Sequence, residues 1–84
     1  MPKTVILYSK ADCHLCHEAQ RHIEDVRHRV HFDFTVVDIT TDASLDDALK
    51  HHIPIVTLDG NEIFRHRVNP IRLEQLLRRE DNLA

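Results

Sequence analysis

The chain of 84 residues is 42% hydrophobic and 30% charged, which is typical of one small globular domain over residues 1–84 rather than of a disordered chain. Its formal net charge of −3 disfavours nucleic acid as a partner, because binding phosphates needs clustered positive charge. No apolar run approaches the roughly 20 residues that cross a membrane, and a signal-peptide pattern is missing. We therefore expect a cytoplasmic monomer that binds neither membranes nor nucleic acid.

The first half of the chain predicts a strand, a helix and a second strand. Residues 4–8 form an apolar, β-branched run, which indicates a buried strand. Apolar residues then recur every three or four positions, which predicts a helix over residues 14–29. Asp25 and Arg29 support that helix as a pair four residues apart. The alternating stretch HFDFTVVDI, residues 31–39, indicates the second strand.

A short helix and a hairpin follow. A short apolar stripe predicts a helix over residues 43–51, and Ser44 with Asp47 three residues later resembles a capping box at its start. Two further strands are predicted over residues 55–58 and 62–65. The Asp-Gly pair between them is typical of a hairpin turn, since glycine adopts positive φ freely.

The stretch NPIRLEQLLRRE, residues 69–80, predicts the last helix. Asn69 suits the N-cap and Pro70 the first helical position. Its buried face would be formed by Ile71 or Leu73 together with Leu76 and Leu77. The complete order is β-α-β-α-β-β-α, with a right-handed parallel crossover between the first two strands and an antiparallel hairpin later. This order predicts an α/β fold with a mixed four-stranded sheet and helices on both faces.

Both cysteines of the chain lie in the stretch ADCHLCHEAQ, residues 11–20, directly after the first strand. Functional sites of open α/β sheets lie beyond the carboxyl ends of the parallel strands, so this stretch lies where a site is expected. Two cysteines are too few for the disulfide framework of a small secreted protein, and a close pair in a reducing compartment is more often catalytic or metal-binding.

The spacing of Cys13 and Cys16 suits thiol–disulfide exchange. Unpaired amide groups and the positive end of the dipole at a helix start stabilise a thiolate, and can lower a cysteine pKa from ~8.5 into the range of about 3.5 to 7.5. Cys13 lies at the predicted helix start, so we expect it to attack a disulfide. Cys16 lies one turn into the helix, from which it can resolve the mixed disulfide.

Three charged or titratable residues lie near Cys13 in the sequence. Two of them have alternative interpretations, and the third disfavours the thiolate. Lys10 either stabilises the thiolate or attracts an anionic substrate, or it is an ordinary surface lysine. His14 either favours the thiolate when protonated or is exposed and uninvolved. Asp12 opposes both of these effects, because its negative charge directly precedes Cys13.

The stretch LYSKADCHLC closely resembles the glutaredoxin pattern Y-S-K-x-x-C-x-x-C. The stretch IPIVTLDG, residues 53–60, places a proline about forty residues later at the start of a strand that leads into an Asp-Gly hairpin. With the order of elements, these features identify the chain as resembling a glutaredoxin-like member of the thioredoxin superfamily, and more narrowly the small bacterial proteins that share C-H-x-C and the Asp-Gly hairpin. The resemblance implies a thioredoxin-like fold over nearly all of the chain.

The resemblance also implies a set of functional residues. Cys13 would be the nucleophile, Cys16 the resolving thiol and Pro54 a cis proline facing the pair. The backbone of Ile53 would hydrogen-bond an extended substrate or the cysteine of glutathione, in a short β-augmentation. No cofactor is implied, although glutathione can serve as a co-substrate. The residues expected to contact a protein disulfide or a glutathione-type thiol are Lys10, His14, Leu15, Ile53 and Pro54.

Several positions depart from the glutaredoxin pattern. His14-Leu15 replaces the usual Pro-Tyr, and His52-Ile53 replaces Thr-Val before the proline. The Gly-Gly turn that binds glutathione is missing, which favours a protein substrate over glutathione bound in the usual way. Arg65 and Arg67 either hold a carboxylate instead or are exposed strand residues.

Two other functions stay open at this point. Cys13, His14, Cys16 and His17 are four candidate metal ligands, but a structural zinc site usually draws on two ligand pairs well separated in sequence. These four candidates form one continuous stretch rather than two separated pairs, so we assign no metal ligand. An iron–sulfur cluster bridged between two subunits, and a non-catalytic interaction module with incidental cysteines, remain the alternatives to an oxidoreductase.

Overall fold

The computed structural model describes residues 2–79, and the order of elements agrees with the prediction. The elements are β1 (Thr4–Ser9), α1 (His14–Arg27), β2 (Asp33–Asp38), a 3₁₀ turn (Ile39–Thr41), α2 (Ala43–Leu49), β3 (Ile55–Leu58), β4 (Asn61–Arg65) and α3 (Pro70–Arg78). Among the helices of this part of the chain, none combines the length and apolar character needed to span a bilayer. Glu80, the end of the stretch predicted as the last helix, lies outside the described residues.

The four strands form one mixed sheet in the order β2-β1-β3-β4. β1 and β2 are parallel, with Val5 opposite Phe34, and β3 is antiparallel to both β1 and β4. The parallel pair brings the carboxyl end of β1 beside that of β2, where Ser9 is paired with Asp38. The loop with the two cysteines leaves the sheet at this end, as the topology predicts.

Alternation along β1 divides the core between the two faces of the sheet. Val5 and Leu7 are fully buried on one face, and α1 and α3 cover that face. The helices contribute to this larger cluster the buried residues Ala19, Ile23, Val26, Leu73 and Leu77. Tyr8 points to the opposite face, where it packs with Leu45 and Leu49 of α2. Helices therefore lie on both faces of the mixed sheet, which confirms the predicted fold class.

The hairpin turn is tied to the start of β1. Asp59 and Gly60 both have positive φ, 50° and 88°. The Asp59 amide donates to the Thr4 carbonyl and the Thr4 amide donates to Asp59 Oδ1, both at 2.8 Å. The Asp-Gly turn predicted from the sequence thus also joins two distant parts of the chain.

The predicted capping box at the start of the short helix is wrong. Asp42, not Ser44, is the N-cap of α2, and its Oδ1 accepts from the amides of Ser44 (2.9 Å) and Leu45 (3.2 Å). The 3₁₀ turn after β2 causes the difference, because it leaves Asp42 extended with φ −138° directly before the helix. Asp47 instead lies 3.8 Å from Lys50.

The cap of the last helix is confirmed. Asn69 Oδ1 accepts from the Arg72 amide at 3.1 Å, and Pro70 is the first helical residue. Leu73 and Leu77 are buried and Leu76 is half-buried, whereas Ile71 is 72% exposed. Leu73, rather than Ile71, therefore contributes to the buried face of this helix. Helix α1 ends at Arg27, two residues before its predicted end.

Candidate active site

The two cysteines are joined as a disulfide at the start of α1. Cys13 is the N-cap residue, and its Sγ accepts from the Cys16 amide at 3.1 Å. The Cα atoms of the pair are 5.2 Å apart. The Cys16 amide in the first helical turn therefore points toward Sγ of Cys13, and a helix N-terminus of this kind stabilises a thiolate after reduction.

The two sulfurs differ in their access to solvent. Cys13 is partly exposed, whereas Cys16 is 0% exposed. Cys16 packs with Ile39, from the 3₁₀ turn, and with Ile53 in a small cluster on the α2 side of the sheet. An incoming molecule can therefore reach Cys13 first.

The charged neighbours of the pair have ionic partners of their own. His14 has its side chain 89% exposed, and its Nε2 lies 3.5 Å from Glu18 Oε2, one turn further along the helix. Lys10 Nζ lies 3.8 Å from Asp12 Oδ1, so these two opposite charges face each other across the loop. The first turn of α1 carries no acidic residue. The contact to Cys13 Sγ that the structure shows comes from the Cys16 amide, while Lys10 and His14 have carboxylate partners.

A buried proline turn lies against the disulfide. The peptide bond between Ile53 and Pro54 is cis, and Pro54 is fully buried. Because Ile53 packs with Cys16, this turn lies beside the redox pair. The Pro54 carbonyl accepts from the His66 amide at 2.7 Å, and His66 has a φ of 72°. The His66 ring stacks on His52, with ring centroids 6.4 Å apart.

A family model described as glutaredoxin-like domain (DUF836) matches residues 4–78 of the chain. The chain belongs to this glutaredoxin-like family. The match covers both cysteines, the proline turn and the described helices and strands, so the resemblance inferred from the sequence is confirmed.

Solved structures show that the fold of this glutaredoxin-like chain is that of thioredoxins. Protein Ne2328 from Nitrosomonas europaea, solved by solution NMR, is 18% identical and aligns with a TM-score of 0.76 over 92% of this chain and 93% of that one. A mutant thioredoxin from Halobacterium salinarum aligns at 0.66 with 15% identity, over 89% and 71% of the two chains. Oxidised mitochondrial thioredoxin 3 from Saccharomyces cerevisiae aligns at 0.66 with 22% identity, over 89% and 76%.

The family, the fold and the disulfide together indicate redox activity at the cysteine pair. Of the residues predicted to contact substrate, Ile53 and Pro54 lie at the pair, and Leu15 is half-buried beside it. Lys10 and His14 lie near the pair in the chain but make their ionic contacts elsewhere.

The segment beside the proline turn contains His66, to which the sequence assigned no role, and Arg67, for which the sequence left a carboxylate-binding role open. His66 is bonded to the Pro54 carbonyl, and Arg67 follows it on the segment between β4 and α3. Nothing in the sequence spacing predicts that residue 66 returns to residue 54. The basic stretch FRHRV, residues 64–68, was the available signal, but its residues could equally have been solvated strand positions.

The two arginines proposed to hold a carboxylate behave differently. Arg65 donates two hydrogen bonds to Glu62, from Nε to Oε2 and from Nη2 to Oε1, each 2.9 Å long. These hydrogen bonds hold the pKa of Glu62 below its usual value and raise the pKa of Arg65. Arg67 instead lines a small groove that also includes Leu15.

The histidines near the pair do not form a metal site within residues 2–79. Over that range, no group of three or more histidine, cysteine, aspartate or glutamate side chains is arranged to hold a metal ion. His17 lies instead at a separate surface depression of about 210 Å³, together with Lys10, Gln20 and Asp38. The two cysteine sulfurs are bonded to each other. An iron–sulfur cluster bridged between two copies would need both thiols reduced, and direct metal analysis tests for it.

Proposed function

We propose that this chain is a dithiol–disulfide oxidoreductase in which Cys13 attacks and Cys16 resolves. The single observation that carries the proposal is the position of the disulfide. Its accessible sulfur caps α1, its buried sulfur lies one turn behind, and a cis proline turn packs beside both. This arrangement supports nucleophilic attack at one sulfur and protection of the other.

The reaction begins from the reduced protein. The Cys13 thiolate attacks one sulfur of a substrate disulfide, and the other substrate sulfur leaves as a thiolate that takes up a proton. The Cys16 thiol then loses its proton and attacks Cys13 Sγ. The Cys13–Cys16 disulfide forms, and the second substrate thiol is released. The substrate gains two electrons, which the protein loses, and a dithiol or two monothiol molecules must return them.

The substrate would lie across the proline turn. An extended peptide next to Ile53 and Pro54 could pair with the backbone there and present its disulfide to Cys13. We favour a protein disulfide, with glutathione as a co-substrate that restores the dithiol. The proposal includes no bound cofactor, no metal, no nucleic acid and no membrane, and it assumes the reducing cytoplasm as the compartment.

Single cysteine variants test the order of the two steps. The reduced protein is mixed with a peptide disulfide, and mass spectrometry follows the products. Cys13→Ser should neither reduce the peptide nor form an adduct. Cys16→Ser should attack and then stop, carrying half of the peptide as a mixed disulfide. A Cys16→Ser variant that forms no adduct, or a Cys13→Ser variant that does, would contradict the proposed roles.

Two further measurements separate this function from the alternatives. Iodoacetamide should modify Cys13 of the reduced protein at pH 7 faster than it modifies free cysteine, and equal rates would remove the nucleophile assignment. Protein purified without oxygen should be colourless and free of metal. A visible charge-transfer band or bound iron would support the bridged cluster instead.

A further inference from the structure

A small groove lies between the first half of α1 and the segment that joins β4 to α3. Leu15, Glu18 and His22 line it from the helix, and His66 and Arg67 line it from the joining segment. Its volume is about 130 Å³. Neither cysteine lines the groove, but Leu15 lies between the two cysteines in the chain and so connects the groove lining to the disulfide.

The joining segment is bonded to the turn on which the substrate is proposed to lie. The His66 amide donates to the Pro54 carbonyl at 2.7 Å, and Arg67 is the next residue. Ile53, on the other side of that proline, packs with Cys16. A peptide held at this turn with its disulfide at the cysteine pair therefore has the groove within reach of its neighbouring side chains.

The groove carries a guanidinium that no carboxylate neutralises within residues 2–79. Arg67 is exposed and forms no ion pair with a described residue, whereas Arg65 is bound by Glu62. The carboxylate of the groove itself, Glu18, faces His14 at 3.5 Å. Glu62 and Glu18 thus have other partners, and Arg67 lines the groove without an ion pair to a described residue.

We propose that this groove binds a carboxylate next to the target cysteine of the substrate, with Arg67 as the binding residue. The inference rests on the proposed oxidoreductase function and adds its substrate class: disulfides in acidic protein segments. Arginine suits this role because its planar fork of donors matches a carboxylate at two points. His66 and His22 add ring N–H donors, and Leu15 provides an apolar wall.

The test compares matched peptide disulfides. Short peptides capped at both ends carry one cysteine followed by Glu, Gln or Lys, and each is used as its symmetric disulfide. The second-order rate constant for reduction by the reduced full-length protein is measured at low salt. Each value is divided by the rate constant for dithiothreitol with the same peptide, which removes the intrinsic effect of the neighbouring charge on the disulfide.

The wild type should prefer the Glu peptide over the Gln peptide by about two- to fivefold, the range typical of an exposed ion pair. The Lys peptide should be the slowest. Arg67→Gln should bring the Glu-to-Gln ratio to about one, and Arg67→Lys should keep part of the preference. About 0.5 M NaCl should reduce the wild-type ratio, because salt screens exposed charges.

Arg21→Gln is the matched control. Arg21 is exposed on α1, the helix that lines one side of the groove, but is not itself part of the lining. Its replacement by glutamine changes the net charge by the same amount as Arg67→Gln. This variant should keep the wild-type ratio. Equal loss in both variants would show that only net charge matters and would overturn the site, as would a wild-type ratio of one.

Glutathione disulfide and its carboxyl-esterified form provide a second pair, because a carboxylate beside a disulfide can also come from a small thiol. Dependence on Arg67 with the peptides identifies an acidic protein segment as the source. If Arg67 affects the reduction rate of glutathione disulfide but of none of the peptides, the carboxylate site is supported and the proposal of a protein substrate is contradicted. If the protein reduces none of these disulfides, the proposed function fails, and the inference fails with it.

Discussion

Asp59 and His66 adopt positive φ values that L-residues rarely take, and each makes a bond that explains why. Asp59 joins the hairpin turn to Thr4, with its amide and its side chain both engaged. His66 turns the chain after β4 so that its amide reaches the carbonyl of Pro54. At both positions a local conformation costs free energy, and a contact between distant parts of the chain offsets it.

Asp59→Ala should lower the free energy of unfolding by about 1–2 kcal/mol. Alanine removes the acceptor for the Thr4 amide and tolerates positive φ less well than aspartate. Urea unfolding of the reduced protein measures the change. Asp59→Asn is the control, since it keeps both an acceptor oxygen and the tolerance of positive φ. Equal losses in the two variants would contradict this account.

At position 66 the backbone conformation should matter more than the ring. His66→Val should be less stable than His66→Gly by about 1–2 kcal/mol, because a β-branched residue is strained at a φ of 72° whereas glycine is not. Both variants lose the ring that stacks on His52 and both keep the amide that donates to Pro54. Thermal unfolding of the two variants measures the difference. Similar stabilities of His66→Val and His66→Gly would contradict a role for backbone strain at position 66.

At the scale of elements, the type and approximate position of each helix and strand follow from local periodicity. The exact start of each helix depends on its capping residue. The last helix was predicted well because Asn69 and Pro70 signal its start within two adjacent residues. The short helix was predicted with the wrong cap because its start depends on the 3₁₀ turn before it. A turn of that kind has no distinctive sequence signal, and Ser44 resembled a cap at least as well as Asp42.

Loss of the Asn69 cap should weaken α3 measurably. Asn69→Ala leaves the Arg72 amide without its side-chain acceptor and should lower the free energy of unfolding by about 1 kcal/mol. Asn69→Asp should retain most of the stability, because aspartate is an equally good N-cap residue. Chemical unfolding followed by circular dichroism gives both values. If Asn69→Asp lowered the free energy of unfolding as much as Asn69→Ala, loss of the helix cap would not explain the destabilisation.

At the scale of the whole molecule, an ionic cluster connects α1 to α3. Glu74 accepts from Arg29 Nε at 2.8 Å and lies 2.9 Å from Arg78 Nη2, and Arg29 also contacts Asp25. Hydrogen bonds donated by the two arginines hold the pKa of Glu74 below its usual value, and the bonds that Arg29 donates to Glu74 and Asp25 raise the pKa of Arg29. The cluster lies on the surface over the larger core, away from the cysteines.

The sign of the pH effect follows from the lowered pKa of Glu74. The stabilising contribution is complete above the ordinary value of 4.5 and disappears as the pH falls through the lower value of the folded state. Glu74→Gln should therefore lower the Tm at pH 7 in low salt, and its difference from the wild type should shrink as the pH falls below about 4.5.

Glu24→Gln serves as the comparison for this prediction. Glu24 accepts from the neutral amide of Gln20, so the same substitution there should change the Tm less at pH 7. Calorimetry of the three proteins between pH 7 and pH 3 measures the effect. A Tm difference for Glu74→Gln that is constant over this range would contradict a role for the charge.

Local sequence patterns predict the types of element, their order and the position of the cysteine pair at a helix start. These properties depend on the spacing of apolar residues and on caps, turns and cysteines that are close in the chain. The identity of the side chains around the pair depends on contacts between distant parts of the chain. Arg65 pairs with Glu62 while Arg67 faces the groove, because the chain turns at His66 to reach Pro54. That turn depends on a contact across twelve residues, which local sequence patterns do not encode.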